Sequence, residues 1–121
     1  MRDFGELEAA IMEHVWSAGR PVLVREIHQA LRPERAYNTV WTVTEILYRK
    51  GWLTRTKEGR AYRYEPTTSR EDYTAGLMGE ALEASPDRVA ALRSFVARID
   101  PAEARQLRRM LDQALQEEVG S

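Results

Sequence analysis

The sequence predicts a mainly α fold with a small β-hairpin: three short helices, the hairpin, then three further helices. Three observations carry this. Apolar residues recur at helical spacing up to Gly51, the period drops to two between Trp52 and Glu65, and Ser85-Pro86 and Asp100-Pro101 cut the remaining helical pattern into segments.

The first helix is expected over Phe4 to Ser17, with Asp3 and Glu6 as a capping box. Leu7, Ile11 and Val15 form its buried stripe, flanked by Ala10 and His14. Ala18-Gly19-Arg20-Pro21 ends it, because glycine suits the position after a helix and proline cannot continue one. Pro21-Val22-Leu23 reads as a short strand, Val24 to Leu31 as a second helix, and Arg32-Pro33-Glu34-Arg35 as a turn. A third helix runs from Tyr37-Asn38 to Gly51. Val40, Val43 and Leu47 make its apolar face, while Asn38, Trp41, Thr42, Glu45 and Arg49 line the opposite side.

Trp52 to Lys57 and Ala61 to Glu65 read as strands joined by Glu58-Gly59-Arg60, and Pro66 ends the second. Alternation is read as placing Arg55 and Lys57 on one strand face, opposite Leu53. Helix, turn, helix, turn, helix and hairpin is the order of a winged helix-turn-helix.

The last third differs in kind. A helix opening at Ser69 carries Tyr73, Leu77, Met78, Ala81 and Leu82 on one side. Ser85 as N-cap, with Pro86 at the first helical position, opens a helix bearing Val89, Leu92, Phe95, Val96 and Ile99. Asp100-Pro101-Ala102-Glu103 opens another, bearing Leu107, Met110, Leu111, Ala114 and Leu115. Three short apolar faces are too little for an independent core, so a second copy of the chain is expected to cover them.

Composition limits the function classes. The chain has no cysteine, which excludes disulfides, thiolate metal sites and cysteine nucleophiles. Its 2 histidines have no carboxylates at ligand spacing, so no metal and no cofactor are expected. No nucleophile elbow or phosphate loop is present, and an enzyme is not expected. Lacking an apolar run of about 18 residues or a leader-like start, the chain is expected in the cytoplasm, with no membrane insertion. The net charge is −1, but it is unevenly spread. Met1 to Pro66 holds 11 basic and 9 acidic residues, Thr67 to Ser121 holds 7 and 10, and Ile46 to Pro66 holds 6 and 2. Binding to phosphate depends on such a local patch rather than on the whole-chain sum.

These features point to double-stranded DNA. A helix fits the major groove, where Asn38 can pair with adenine, Thr39 and Thr42 can meet phosphate or a thymine methyl, and Arg49 can reach phosphate. Trp41 is large for a groove, and Glu45 repels phosphate unless it accepts from cytosine. Arg55, Lys57, Arg60 and Arg63 sit on a hairpin of suitable length for flanking phosphates, and Arg25 on the second helix joins the set of DNA-contact candidates. The chain is therefore divided into a winged-helix DNA-binding domain, 1–67, and a helical dimerisation domain, 68–121. Tyr73, Leu77, Met78, Leu82, Val89, Leu92, Phe95, Val96, Leu107, Leu111 and Leu115 are the dimerisation candidates. Two rivals stand beside this reading: a winged-helix module that binds a protein partner, and a DNA-binding repressor that responds to a small ligand.

Several segments together carry a family resemblance: Leu7-Glu8 to Val15-Trp16, Val24-Arg25-Glu26-Ile27, Ala36 to Val43, Lys50-Gly51, and Lys57 to Pro66. With them the chain resembles the BlaI/MecI penicillinase-repressor family over nearly its whole length. The resemblance implies a homodimeric repressor on a palindromic operator, with the recognition helix in the major groove and intertwined C-terminal helices. It also implies a membrane sensor-protease partner that detects β-lactam and triggers cleavage in the dimerisation region. Asn38, Thr39, Thr42 and Arg60 then stand at the operator. Arg93-Ser94-Phe95-Val96 resembles the cleaved segment, with Ser94 where well-studied relatives have Asn. Ile46 stands where many members have Arg, and the cysteine cluster of the copper-responsive branch is missing.

Overall fold

The computed structural model describes residues 4–31 and 35–120. The elements are α1 (Glu6–Ala18), β1 (Val22–Leu23), α2 (Val24–Ala30), α3 (Tyr37–Arg49), β2 (Leu53–Glu58), β3 (Ala61–Pro66), α4 (Arg70–Ala84), α5 (Arg88–Val96) and α6 (Pro101–Gly120). The fold is mainly helical with one small antiparallel sheet, and the chain divides into two compact units, Met1–Met78 and Gly79–Ser121. No helix among the described residues is long and apolar enough to cross a membrane.

In the first unit, α1 starts two residues later than its expected start. Gly5 is the N-cap, and its backbone N–H donates to the Glu8 carboxylate at 3.0 Å. Having no side chain, Gly5 cannot return the bond, so only half of a capping box forms. Asp3, expected as the cap, lies outside the described residues, as does most of the turn at Arg32-Pro33-Glu34. Gly19 ends the helix at φ 64°, the left-handed conformation that glycine adopts without a Cβ clash.

The core joins Ile11, Met12 and Val15 of α1 to Val24 and Ile27 of α2 and to Val40 and Leu47 of α3, with Val22, Leu53 and Tyr64 from the sheet. Thr44, rather than Val43, completes the fully buried face of α3. Its hydroxyl donates to the Val40 carbonyl at 2.7 Å, which satisfies the one polar atom and lets a threonine occupy a core position.

The sheet order is β1-β3-β2, all antiparallel. Two-residue β1 reads weakly in the sequence, yet Val22 opposite Tyr64 places two buried side chains side by side. Glu58 pairs with Ala61, which leaves Gly59 and Arg60 as the loop. Gly59 has φ 63° and no non-glycine residue among the described residues has positive φ, matching the two-residue type II′ hairpin with glycine first. Period two corrects one expectation: Leu53, Arg55 and Lys57 share a face of β2, and Leu53 turns that face toward the core.

α4 opens as expected, with Ser69 Oγ accepting from the Asp72 N–H at 3.0 Å. Its first turns belong to the first unit, where Arg70 pairs with Glu13 and Tyr73 is buried. In the second unit, Asp87 rather than Ser85 caps α5, accepting from the Ala90 N–H at 3.1 Å. A carboxylate next to the helix start competes better for those amides than a hydroxyl two residues earlier, and Ser85 bonds the Asp87 carbonyl instead. Asp100 and Glu103 form the expected box at α6, with Asp100 Oδ1 accepting from the Glu103 N–H at 2.8 Å.

Candidate nucleic-acid interface

Because α3 buries Val40, Thr44 and Leu47, its opposite side must face outward. Asn38, Thr39, Trp41, Thr42 and Arg49 are all exposed there, Trp41 to 47%. Glu45 lies on the same line but behaves differently. Its side chain is only 15% exposed, with Arg49 Nε at 3.6 Å from one oxygen and Arg55 Nη1 at 2.7 Å from the other.

The hairpin cations divide into two pairs. Arg55 is held against α3, its guanidinium 3.9 Å from the Tyr48 ring centre and 4.0 Å from that of Tyr62. Arg63 is held as well, donating to Glu58 and lying 3.3 Å from Glu26, whose other oxygen meets Arg20 at 2.9 Å. Hydrogen bonding to Glu58, against some cost of burial, holds the Arg63 guanidinium above its ordinary pKa. Lys57 and Arg60 are exposed, and among the described residues neither they nor Arg25 form an ion pair. The basic hairpin read from the sequence thus contains two cations available to a ligand and two committed within the protein.

Between α3 and the hairpin lies a cleft of about 720 Å³ that brings Arg25, Tyr37, Trp41, Arg60 and Tyr62 together. Tyr37 and Tyr62 were not singled out in the sequence, although alternation from buried Tyr64 puts Tyr62 on its face of β3. An aromatic wall with cations at two edges suits a sugar-phosphate strand or another planar anionic group. His28 is a tie rather than a site: its Nε2–H donates to the Arg35 carbonyl at 2.8 Å, and its ring packs edge-on to Tyr37. His14 is partly buried. Among the described residues no cluster of histidine and carboxylate side chains could hold a metal.

The dimerisation candidates also separate. Tyr73 is spent inside the first unit: it is 8% exposed, and its hydroxyl accepts from the Phe4 N–H at 3.1 Å. Its helical spacing matched the later apolar residues, but the rings of Phe4, Trp16 and Trp52 take it instead. Val89, Leu92, Phe95, Val96, Leu111 and Leu115 of the second unit are exposed, as is Met78, while Leu77, Leu82 and Leu107 are half-buried. No described residue of α5 or α6 is buried, and Met110 and Val119 of α6 are exposed as well. Ser94 and Phe95 lie within α5 and are exposed.

The penicillinase repressor family model matches residues 4–113. The transcriptional regulator BlaI of Mycobacterium tuberculosis (strain CDC 1551 / Oshkosh) is 45% identical over 112 residues, covering 88% of this chain and 81% of that protein. Among solved structures, the DNA binding domain of the repressor BlaI is 26% identical with a TM-score of 0.52, covering 60% of this chain and 94% of that one. A MepR variant from S. aureus, solved with an oligodeoxyribonucleotide, has a TM-score of 0.54 at 18% identity, covering 95% of this chain and 80% of its own, and so shares the fold. With a winged-helix unit, an outward polar helix and a basic hairpin in place, this chain belongs to the penicillinase repressor family of transcriptional regulators.

Proposed function

We propose that the chain is a homodimeric cytoplasmic repressor that binds a palindromic operator in double-stranded DNA and blocks transcription by occupying it. As a member of a repressor family it is not an enzyme. The observation that carries the reading is the pairing of an exposed Asn38/Thr39/Thr42 helix face with unpaired Lys57 and Arg60 on the adjacent hairpin. In this reading α3 enters the major groove and the hairpin reaches the flanking backbone, with Arg25 and Arg49 adding phosphate contacts. The first unit, extended through Met78, is the DNA-binding domain; the exposed leucines and Phe95 of the second unit are covered by a second copy.

Linking two weak binders makes the second contact effectively intramolecular and raises apparent affinity by about 10²–10⁴. Relief follows from losing that link. The exposed Ser94-Phe95 bond is the proposed cleavage point for a membrane sensor-protease, with β-lactam as its proposed signal. Because the bond lies within α5, the helix must open locally before a protease can bind it in extended form.

Selection of bound duplexes from a random pool tests the reading. Recovery of an inverted repeat, protected symmetrically in footprints, is the expected result. A single asymmetric half-site, or no enrichment, counts against it.

A further inference from the structure

We infer that Arg55 is a positioning residue that ties the hairpin to the recognition helix and neutralises Glu45 at the DNA-facing surface, rather than a contact to DNA. The inference deepens the proposed DNA-binding function and rests on it. Glu45 follows Trp41 by one turn and Asn38 by two, so an unpaired carboxylate there would face the phosphates that the neighbouring residues are placed to meet. Three features remove that charge. Arg55 Nη1 stands 2.7 Å from Glu45 Oε2, the two side chains are only 20% and 15% exposed, and Arg49 Nε approaches the remaining oxygen at 3.6 Å.

The guanidinium is fixed from its other sides too. It lies between the Tyr48 and Tyr62 rings and donates to the Tyr64 hydroxyl at 3.4 Å. Tyr48 belongs to α3, whereas Tyr62 and Tyr64 belong to β3, so a single side chain on β2 bridges the helix and both hairpin strands. A flat cation with several N–H groups can stack and pair at once; an ammonium cannot. The bridge also crosses the cleft between α3 and the hairpin, which both Glu45 and Arg55 line. The angle at which Lys57 and Arg60 are offered to DNA is thereby coupled to the helix that would read it.

The test is a double-mutant cycle in the full-length protein: wild type, E45Q, R55Q and E45Q/R55Q, with R55K added. Duplex affinity is measured across a range of salt, and amide hydrogen exchange is measured over the hairpin. R55Q is expected to lower affinity by at least about 10-fold in the wild-type background but less than about 3-fold beside E45Q, the signature of coupled residues. In the E45Q background R55Q leaves the log–log salt slope unchanged, because no phosphate contact is lost. Hairpin amides exchange faster in R55Q, and R55K fails to restore binding. R55Q that is unfolded while E45Q/R55Q is folded supports the same conclusion, since Glu45 is then what Arg55 serves.

An equal loss in both backgrounds, with the slope falling by about 0.9 in each, makes Arg55 a phosphate contact and overturns the inference. Full rescue by R55K does the same. Wild-type protein that retains no duplex at low salt strikes the DNA-binding reading instead; slower or unchanged hairpin exchange in R55Q still overturns the tie.

Discussion

The rings of Phe4 and Tyr73, 69 residues apart in sequence, stack nearly parallel with their centres 4.4 Å apart and an interplanar angle of 6°. Trp52 meets both rings edge-on, at 4.9 Å from Phe4 and 5.4 Å from Tyr73, and Trp16 lies 5.6 Å from Tyr73. Trp16 Nε1–H donates to the Thr68 carbonyl at 2.8 Å, so the polar edge of the cluster is satisfied as well. Phe4 before α1, Trp16 of α1, Trp52 before β2 and Tyr73 near the start of α4 are thus held in one aromatic cluster. The first unit needs the first turns of α4 to complete itself.

A fragment ending at Met78 is expected to melt cooperatively, whereas one ending at Thr68 loses Tyr73 and the Arg70–Glu13 pair. Y73A in the full chain measures the ring alone. A loss of about 3–5 kcal/mol, the usual cost of removing a large buried aromatic, is expected in urea unfolding. An unchanged midpoint would place the cluster outside the cooperative unit.

Leu92, Phe95, Leu111 and Leu115 are exposed in the single chain. F95D and L111D are expected to give monomers in sedimentation at micromolar concentration, with specific affinity at least about 100-fold weaker because the linked second contact is gone. The unfolding of the first unit is unaffected in these variants. Dimers that persist in both variants would move the interface elsewhere.

The two pairs of hairpin cations are expected to respond differently. K57A and R60A each lower the salt slope of DNA binding by about 0.9 with no change in stability. R63A leaves the slope nearly unchanged and lowers the urea midpoint only slightly, since solvent screens pairs at a partly exposed surface. A slope change for R63A equal to that for R60A would mean that Arg63 leaves Glu26 and Glu58 to reach phosphate.

Two carboxylates give the protein a predictable acid response. The hydrogen bond from Arg70 holds Glu13 below its ordinary value of 4.5, outweighing partial burial. For Glu26, burial works in the opposite direction, but Arg20 and Arg63 together still hold its pKa down. In both cases the folded pKa is lower than the unfolded one, so the unfolded chain binds more protons in the acid range. Their contribution is complete above the ordinary carboxylate value and is lost as pH falls through the folded pKa. Urea midpoints should therefore fall from about pH 6 to about pH 3, and E13Q/E26Q should flatten that fall. An equally steep fall in the double variant would assign the acid response to other groups.

The order of elements was legible because periodicity changes where the structure does, at Gly51 and Trp52, and because glycine marks both the end of α1 and the hairpin loop. The outward face of α3 was legible for the same reason. Thr44 was not, since a threonine looks polar until its hydroxyl finds the Val40 carbonyl one turn back. Two-residue β1 has too little pattern to name its partner strand. The hairpin cations were visible, but their availability was not. Glu45 lies 10 residues from Arg55 and Glu26 lies 37 from Arg63, distances over which only the folded chain brings charges together. Tyr73 had the correct spacing for a dimer face, and only the aromatic cluster shows where its ring is used.

We propose that α3 and the hairpin bind a charged duplex, and equilibrium binding across a salt series tests this most directly. The full chain should bind its selected duplex with log affinity falling linearly against log salt, at a slope of about −4 or steeper from two protomers each contributing Lys57, Arg60 and further phosphate contacts. Affinity that stays flat as salt rises, or no retention of any duplex at low salt, would contradict it.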